Sequence, residues 1–224
     1  MADCQSASDQ KGKEPNGSDN ESDDDDIPQL SAHALAALQE FYDEQKTLAS
    51  EEKTLKIDED WQLSQFWYDD NTASVLAEEA LRASSNGRIA CLCTPTLYKK
   101  LLSTKPEGCE AKIFEYDRRF SVFGEDFIFY DYKKPLDLPA SITEHSFDLV
   151  FADPPFLSEE CLAKTAETIK YLGKEKIILC TGEVMEDLAF KLLRVTPSTF
   201  QPTHARNLGN KFACFVNYDS DLNK

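Results

Sequence analysis

Phe147-Asp148-Leu149-Val150-Phe151-Ala152 reads as a short buried strand, and it runs straight into Asp153-Pro154-Pro155-Phe156. Such a strand has to stop there. Proline lacks the donor a sheet ladder needs, and the residue before each proline is pushed out of the helical region. The outcome is a rigid loop at the carboxyl end of a strand, where open α/β sheets bind ligands. A carboxylate, fixed backbone carbonyls and an aromatic ring are then held together, an arrangement suited to a polar nitrogen that attacks an electrophile. The plainer reading is that two prolines end a strand and Phe156 fills the core. The position of the tetrapeptide, after the fourth strand of a βα series, favours an active site with Asp153, Pro154, Pro155 and Phe156 as candidate catalytic residues.

The series begins at Gly87. Strand patterns over 88–93, 111–116, 126–130, 147–152 and 176–180 alternate with helix patterns over 96–102, 118–123, 159–171 and 184–193. Alternation of this kind predicts a mostly parallel sheet. Two further apolar runs, 198–201 and 212–217, lack room for a crossover helix between them and must pair antiparallel. The expected fold is α/β and Rossmann-like, with a seven-stranded sheet ending in an antiparallel hairpin.

Composition narrows the function classes. The net charge is −17 over 224 residues. Residues 1–28 hold nine acids and two lysines, which is −7 of that total and leaves −10 on the rest. Nucleic-acid binders need a basic footprint on phosphates. An acidic body points instead to a basic protein partner and to no stable nucleic-acid binding. No apolar run approaches the ~18–20 residues of a membrane span, and the N-terminus lacks a signal-like apolar stretch. A cytoplasmic monomer is expected. The seven cysteines include no C-x-x-C pair and the three histidines are scattered, so no metal site is expected. Cys91, Cys93, Cys180 and Cys214 lie in apolar runs and read as small buried hydrophobes of a reducing compartment.

Residues 1–28, ending in Asp23-Asp24-Asp25-Asp26, are too polar to bury a core and read as a disordered acidic tail. Ser22 before the acidic run is a candidate phosphorylation site, with a solubilising tail as the plainer reading. Residues 29–224 form the folded domain, opening with a helical extension over 29–86. Ser31 can cap a helix carrying Leu35, Leu38, Phe41 and Tyr42 on one face, and 47–58 is a charged connector. Trp61-Gln62-Leu63-Ser64-Gln65-Phe66-Trp67-Tyr68 follows, and Asn71 or Thr72 can cap the next helix, through about Ala83. The aromatic cluster is either a core anchor or a segment covering a ligand.

Asp153-Pro154-Pro155-Phe156 resembles the [DNS]-P-P-[YFW] signature of amino-methylating, class I methyltransferases that use S-adenosylmethionine. The resemblance implies where that cofactor sits. The first strand ends in Cys93-Thr94-Pro95-Thr96, without the glycine usual there, and Thr94 and Thr96 offer hydroxyls and amides at a helix start suited to a carboxylate. After the second strand, Glu115 and Asp117 are both placed for the ribose. Glu115 is preferred, because Asp117 also suits a helix cap. After the third, Asp131 and Tyr132 stand where the adenine amine is contacted. Phe66, Trp67 and Tyr68 are candidates to close over the cofactor.

A narrower resemblance then covers the chain from Gln29 onward. The stretches 29–42, 61–68, 114–120, 127–132, 153–161 and 217–219 are similar to the elongation factor 1-alpha lysine methyltransferases, once described as adenine-specific DNA methyltransferase-like. This implies methyl transfer to a lysine of translation elongation factor 1-alpha, a basic protein, in keeping with the charge. The alternatives are a DNA or RNA adenine methyltransferase and a methyltransferase-like binding module without activity.

Overall fold

Ile89 and Cys91 pack on one face of a sheet, and Ala90 and Leu92 on the other. The same split recurs at Leu149 and Phe151 against Val150 and Ala152, and at Ile178 and Cys180 against Ile177 and Leu179. Successive side chains of a strand face opposite ways, so these near-continuous apolar runs feed two cores at once. Central parallel strands covered on both faces require that composition.

The computed structural model describes Gln39 and residues 57–206 and 208–224. All but Gln39 belong to a unit spanning residues 45–224. The strands are β1 (Arg88–Leu92), β2 (Glu110–Glu115), β3 (Phe127–Phe129), β4 (Phe147–Ala152), β5 (Gly173–Gly182), β6 (Thr196–Pro197) and β7 (Phe212–Val216). Their order is β3-β2-β1-β4-β5-β7-β6. β1 to β5 pair in parallel, and β7 runs antiparallel to both β5 and β6. This is the seven-stranded, mostly parallel α/β sheet the alternation predicts. Its order reverses between β1 and β4, which opens a crevice at their carboxyl ends.

Helices α1 (Asp70–Ser84) and α2 (Pro95–Thr104) cover one face, and α3 (Glu159–Leu172) and α4 (Glu186–Leu193) the other. Leu76, Leu97 and Leu101 are fully buried; each such side chain stabilises the packing by about 1.5–3 kcal/mol. Ser158 caps α3 by accepting from Cys161 N at 3.2 Å, and Glu159 and Glu160 occupy its first turn, where acids suit the helix dipole.

Several expected details shift. The cap of α1 is Asp69, whose carboxylate accepts from Thr72 N at 2.7 Å, rather than Asn71 or Thr72. The helix expected over 184–193 is a 3-10 turn, Glu183–Met185, followed by α4. The first hairpin strand is Thr196–Pro197 rather than 198–201: Ser198 N still reaches Cys214 O at 2.8 Å, but Phe200 N turns away to Leu222 O. The acidic tail over 1–28, the Ser31 helix apart from Gln39, and most of the 47–58 connector lie outside the described residues.

Candidate active site

Hydrogen bonds carry three strand pairings one residue past the strand ends. Asp153 N donates to Leu92 O at 3.0 Å, Cys93 N to Phe114 O at 2.9 Å, and Tyr130 N to Glu115 O at 3.0 Å. Cys93, Glu115, Tyr130 and Asp153 therefore leave the sheet side by side. They border a cavity of about 760 Å³ at the β1/β4 crevice, within the ~300–1,000 Å³ range of small-molecule sites.

Phe66, Trp67, Tyr68, Thr94, Thr96, Glu115, Asp131 and Tyr132 line this cavity together with Asp153, Pro154, Pro155 and Phe156. Asp117 does not. Its carboxylate accepts from Arg119 N at 2.9 Å, pairs with the Arg119 guanidinium and accepts from Gln65 Nε2 at 3.0 Å. It is the cap of the 3-10 segment Arg118–Asp126 and leaves Glu115 as the acid facing the cavity.

The glycine-free turn after β1 is accommodated by Cys93, which takes the left-handed conformation at φ 57°. A non-glycine residue there costs about 1–2 kcal/mol, strain of a kind that collects at functional sites. The turn feeds α2, whose first position is Pro95 and whose cap, Thr94, makes no side-chain cap bond. Thr94 Oγ1 is buried without a hydrogen-bond partner of good geometry, although the Cys91 thiol is close by.

The segment before α1 is tied down residue by residue. Gln65 Oε1 accepts from Arg119 Nη2 at 3.1 Å. Trp67 N donates to Glu59 Oε1 at 2.7 Å, and its indole stands edge-on to Phe120, with centroids 6.2 Å apart. Trp67 thus serves both anchor and wall. The Tyr68 hydroxyl donates to Asp153 Oδ2 at 2.5 Å. Phe66 is exposed along one side of the cavity, and Phe156 along another, its ring 5.7 Å from that of Tyr132.

Enclosure dominates the electrostatics. Desolvation pushes the Asp153 carboxyl up to about 7, opposed by the Tyr68 hydrogen bond and reinforced by the charge of Glu115. Desolvation also pushes Glu115 up to about 7, against hydrogen bonds from the Asp117 and Tyr116 amides. Burial lowers the basicity of His204, offset in part by Glu59 and Asp69. The cavity thus holds two carboxyls whose charged forms burial disfavours, beside an imidazole whose charged form burial also disfavours.

Other lining residues escaped the sequence reading: Gln65, Cys93, Tyr130, His204, Phe212 and the loop carrying Leu208, Gly209 and Asn210. Gly209-Asn210 marks a turn, but a lone histidine far from the motif carries no local signal. Among the described residues, no cluster of His, Cys, Asp or Glu is placed to hold a metal, and no helix is long and apolar enough to cross a membrane.

Comparisons with known proteins identify the family. Residues 59–220 match the family model described as probable N6-adenine methyltransferase. The chain is 58% identical over 205 residues to EEF1A lysine methyltransferase 1 of Homo sapiens, covering 89% of this chain and 96% of that protein. It is 48% identical over 214 residues to the protein-lysine N-methyltransferase M142.8 of Caenorhabditis elegans, covering 89% and 98%. A solved structure of a SAM dependent methyltransferase from Aquifex aeolicus is similar at a TM-score of 0.43 and 12% identity, covering 75% of this chain and 98% of that one. With its D-P-P-F loop at the crevice and more than half its residues shared with the human protein, the chain belongs to the EEF1A lysine methyltransferase 1 family.

Proposed function

We infer that this protein is a protein-lysine N-methyltransferase that moves a methyl group from S-adenosylmethionine to a lysine of translation elongation factor 1-alpha. The observation that carries the reading is the enclosure of Asp153 and the Pro154 backbone in a cavity that also presents the buried Glu115 carboxylate and the unpartnered Thr94 hydroxyl. Those groups fit the cofactor. Thr94, Thr96 and the first amides of α2 would hold its carboxylate, Glu115 its ribose, and Asp131 with Tyr132 its adenine. Phe66 and Tyr68 would cover it. Bound there, S-adenosylmethionine supplies a methyl group already activated by a sulfonium centre.

The chain's own residues then prepare the nucleophile. A lysine amine is protonated at neutral pH, and with a reference pKa of ~10.4 its neutral form costs about 4–5 kcal/mol. A cavity walled by Phe66, Trp67, Tyr68, Tyr132, Phe156 and Phe212 excludes water and lowers that cost by disfavouring the charged form. Asp153 and the Pro154 carbonyl accept the remaining N–H bonds and aim the lone pair, a positioning effect. Phe156, 43% exposed, packs along the lysine stem.

The charge of −10 beyond residue 28 favours a basic protein over a nucleic acid. The family model's adenine description keeps that second substrate in the test. The reading includes a cytoplasmic monomer with no stable nucleic-acid binding. Residues 29–224 form its catalytic domain and 1–28 an acidic tail.

Labelled S-adenosylmethionine incubated with the protein and recombinant elongation factor 1-alpha tests it directly. Label should enter the factor, on lysine, and be absent from parallel reactions with transfer RNA and with duplex DNA. Label in nucleic acid alone would overturn the reading.

A further inference from the structure

Tyr68 enters the site from outside the βα series. Its hydroxyl meets Asp153 across 85 residues of chain, and its ring is 5% exposed. The backbone on either side is fastened to the connection between β6 and β7. Ala205 N donates to Trp67 O at 2.8 Å, and Asp69 N donates to Thr203 O at 3.1 Å. The His204 ring lies 5.1 Å from the Tyr68 ring and 4.8 Å from Phe212. Two segments remote in sequence thus clamp one tyrosine so that its polar tip falls on the carboxylate of the D-P-P-F loop. A buried phenol needs a partner for its hydroxyl, and here that partner is the motif carboxylate itself. Among the described residues, no donor is bonded to the other carboxylate oxygen, Asp153 Oδ1.

We propose that Tyr68 is a positioning residue for methyl transfer: by holding Asp153 Oδ2 it fixes the carboxylate and leaves Oδ1 free to accept from the bound amine. The proposal rests on the methyltransferase reading above. It separates the two oxygens by task, one committed to the protein and one to substrate.

Burial governs the ionisation of this carboxylate, and the same bond opposes that effect of burial in part. The titratable groups facing Asp153 are Tyr68 from the segment before α1, Cys93 after β1, Glu115 at the end of β2 and Cys180 on β5. His204 faces the Tyr68 ring from the far side. Of the influences on Asp153, the Tyr68 hydrogen bond is the one that favours the charged form; desolvation and Glu115 oppose it. Losing the hydroxyl therefore raises the pH at which Asp153 ionises.

The test compares the full chain with Tyr68→Phe, which keeps the ring and its packing. The Asp153 carboxyl is followed by carbon NMR across pH in the cofactor-free protein, assigned through Asp153→Asn. The dependence of kcat/KM on pH is measured with elongation factor 1-alpha. In folded Tyr68→Phe the carboxyl should titrate roughly one to two units higher, the loss of one charge-assisted hydrogen bond. The acidic limb of the activity profile should move with it. Above that limb kcat should remain about tenfold low, because the carboxylate is ionised but no longer aimed. Titration and activity curves that superpose on wild type would overturn the proposal. Wild-type protein inactive on elongation factor 1-alpha at every pH would sink the methyltransferase reading instead, and the carbon titration would still decide whether Tyr68 governs Asp153.

Discussion

Gln65 Nε2 donates to Asp117 Oδ2 at 3.0 Å, joining the segment before α1 to the turn after β2. Asp117 is therefore a structural acid two residues from a cavity-lining one. Asp117→Ala removes a helix cap, an arginine pair and this tie together. It should destabilise the protein by about 1–3 kcal/mol and lower the thermal midpoint. Calorimetry should find the S-adenosylmethionine Kd within threefold of wild type; a tenfold weakening without loss of stability would make Asp117 a cofactor ligand.

Glu115 should behave in the opposite way. Glu115→Ala and Asp131→Ala are each expected to weaken cofactor binding by roughly 1–3 kcal/mol, the cost of an unsatisfied polar partner. With the Glu115 carboxyl at about 7 in the free protein, wild-type affinity should fall as pH drops below 7. Glu115→Gln should flatten that dependence. Calorimetry from pH 5.5 to 8.5 checks both points, and equal slopes would place the ribose elsewhere.

The two raised carboxyls also tie stability to pH. Asp153 and Glu115 move from ordinary values of 3.8 and 4.5 up to about 7 on folding. Both bind protons more tightly in the folded state. Their contribution is full below the unfolded values, declines as pH rises from about 4 to 7, and is gone above 7. The cofactor-free protein should therefore melt lower at pH 8 than at pH 5.5 through this pair. The double variant Glu115→Gln/Asp153→Asn should show a flatter profile and exceed wild type at pH 8. Thermal scans across pH decide the matter, and parallel profiles for the two proteins would count against it.

Asp153→Ala should abolish methyl transfer while leaving the fold intact, since the side chain borders an existing cavity rather than the packed core. Turnover above a tenth of wild type in a single-turnover assay would remove Asp153 from the aiming role.

Strands were legible where both faces are covered. Residues 147–152 form β4 to the residue, because a double-sided apolar run ending at two prolines leaves no other choice. β6 was misplaced because two residues, Thr196 and Pro197, cannot show an alternation. The cap of α1 was expected at Asn71 or Thr72, but Asp69 and Asp70 just before them can cap as well; the bond from Asp69 N to Thr203 O, a tertiary contact, favours Asp69. The walls of the site at Thr94, Glu115 and Asp131 could be read because each stands at a strand end. His204 and the Gln65–Asp117 tie could not, since partners 52 residues apart leave no periodic trace.

β7 lies between β5 and β6, although it follows both in the chain. The connection leading into it brings His204 and Phe212 to the cavity. The turn after it places Tyr218 and Ser220 on the buried Glu79 carboxylate of α1, at 2.8 and 2.6 Å. During synthesis the sheet is thus sealed late. Until residues 212–216 emerge, β5 presents a bare strand edge, the kind of surface that recruits other chains. A chain cut short of this point should therefore fail by aggregation rather than by weakened binding, which light scattering of a chain ended before residue 212 would check.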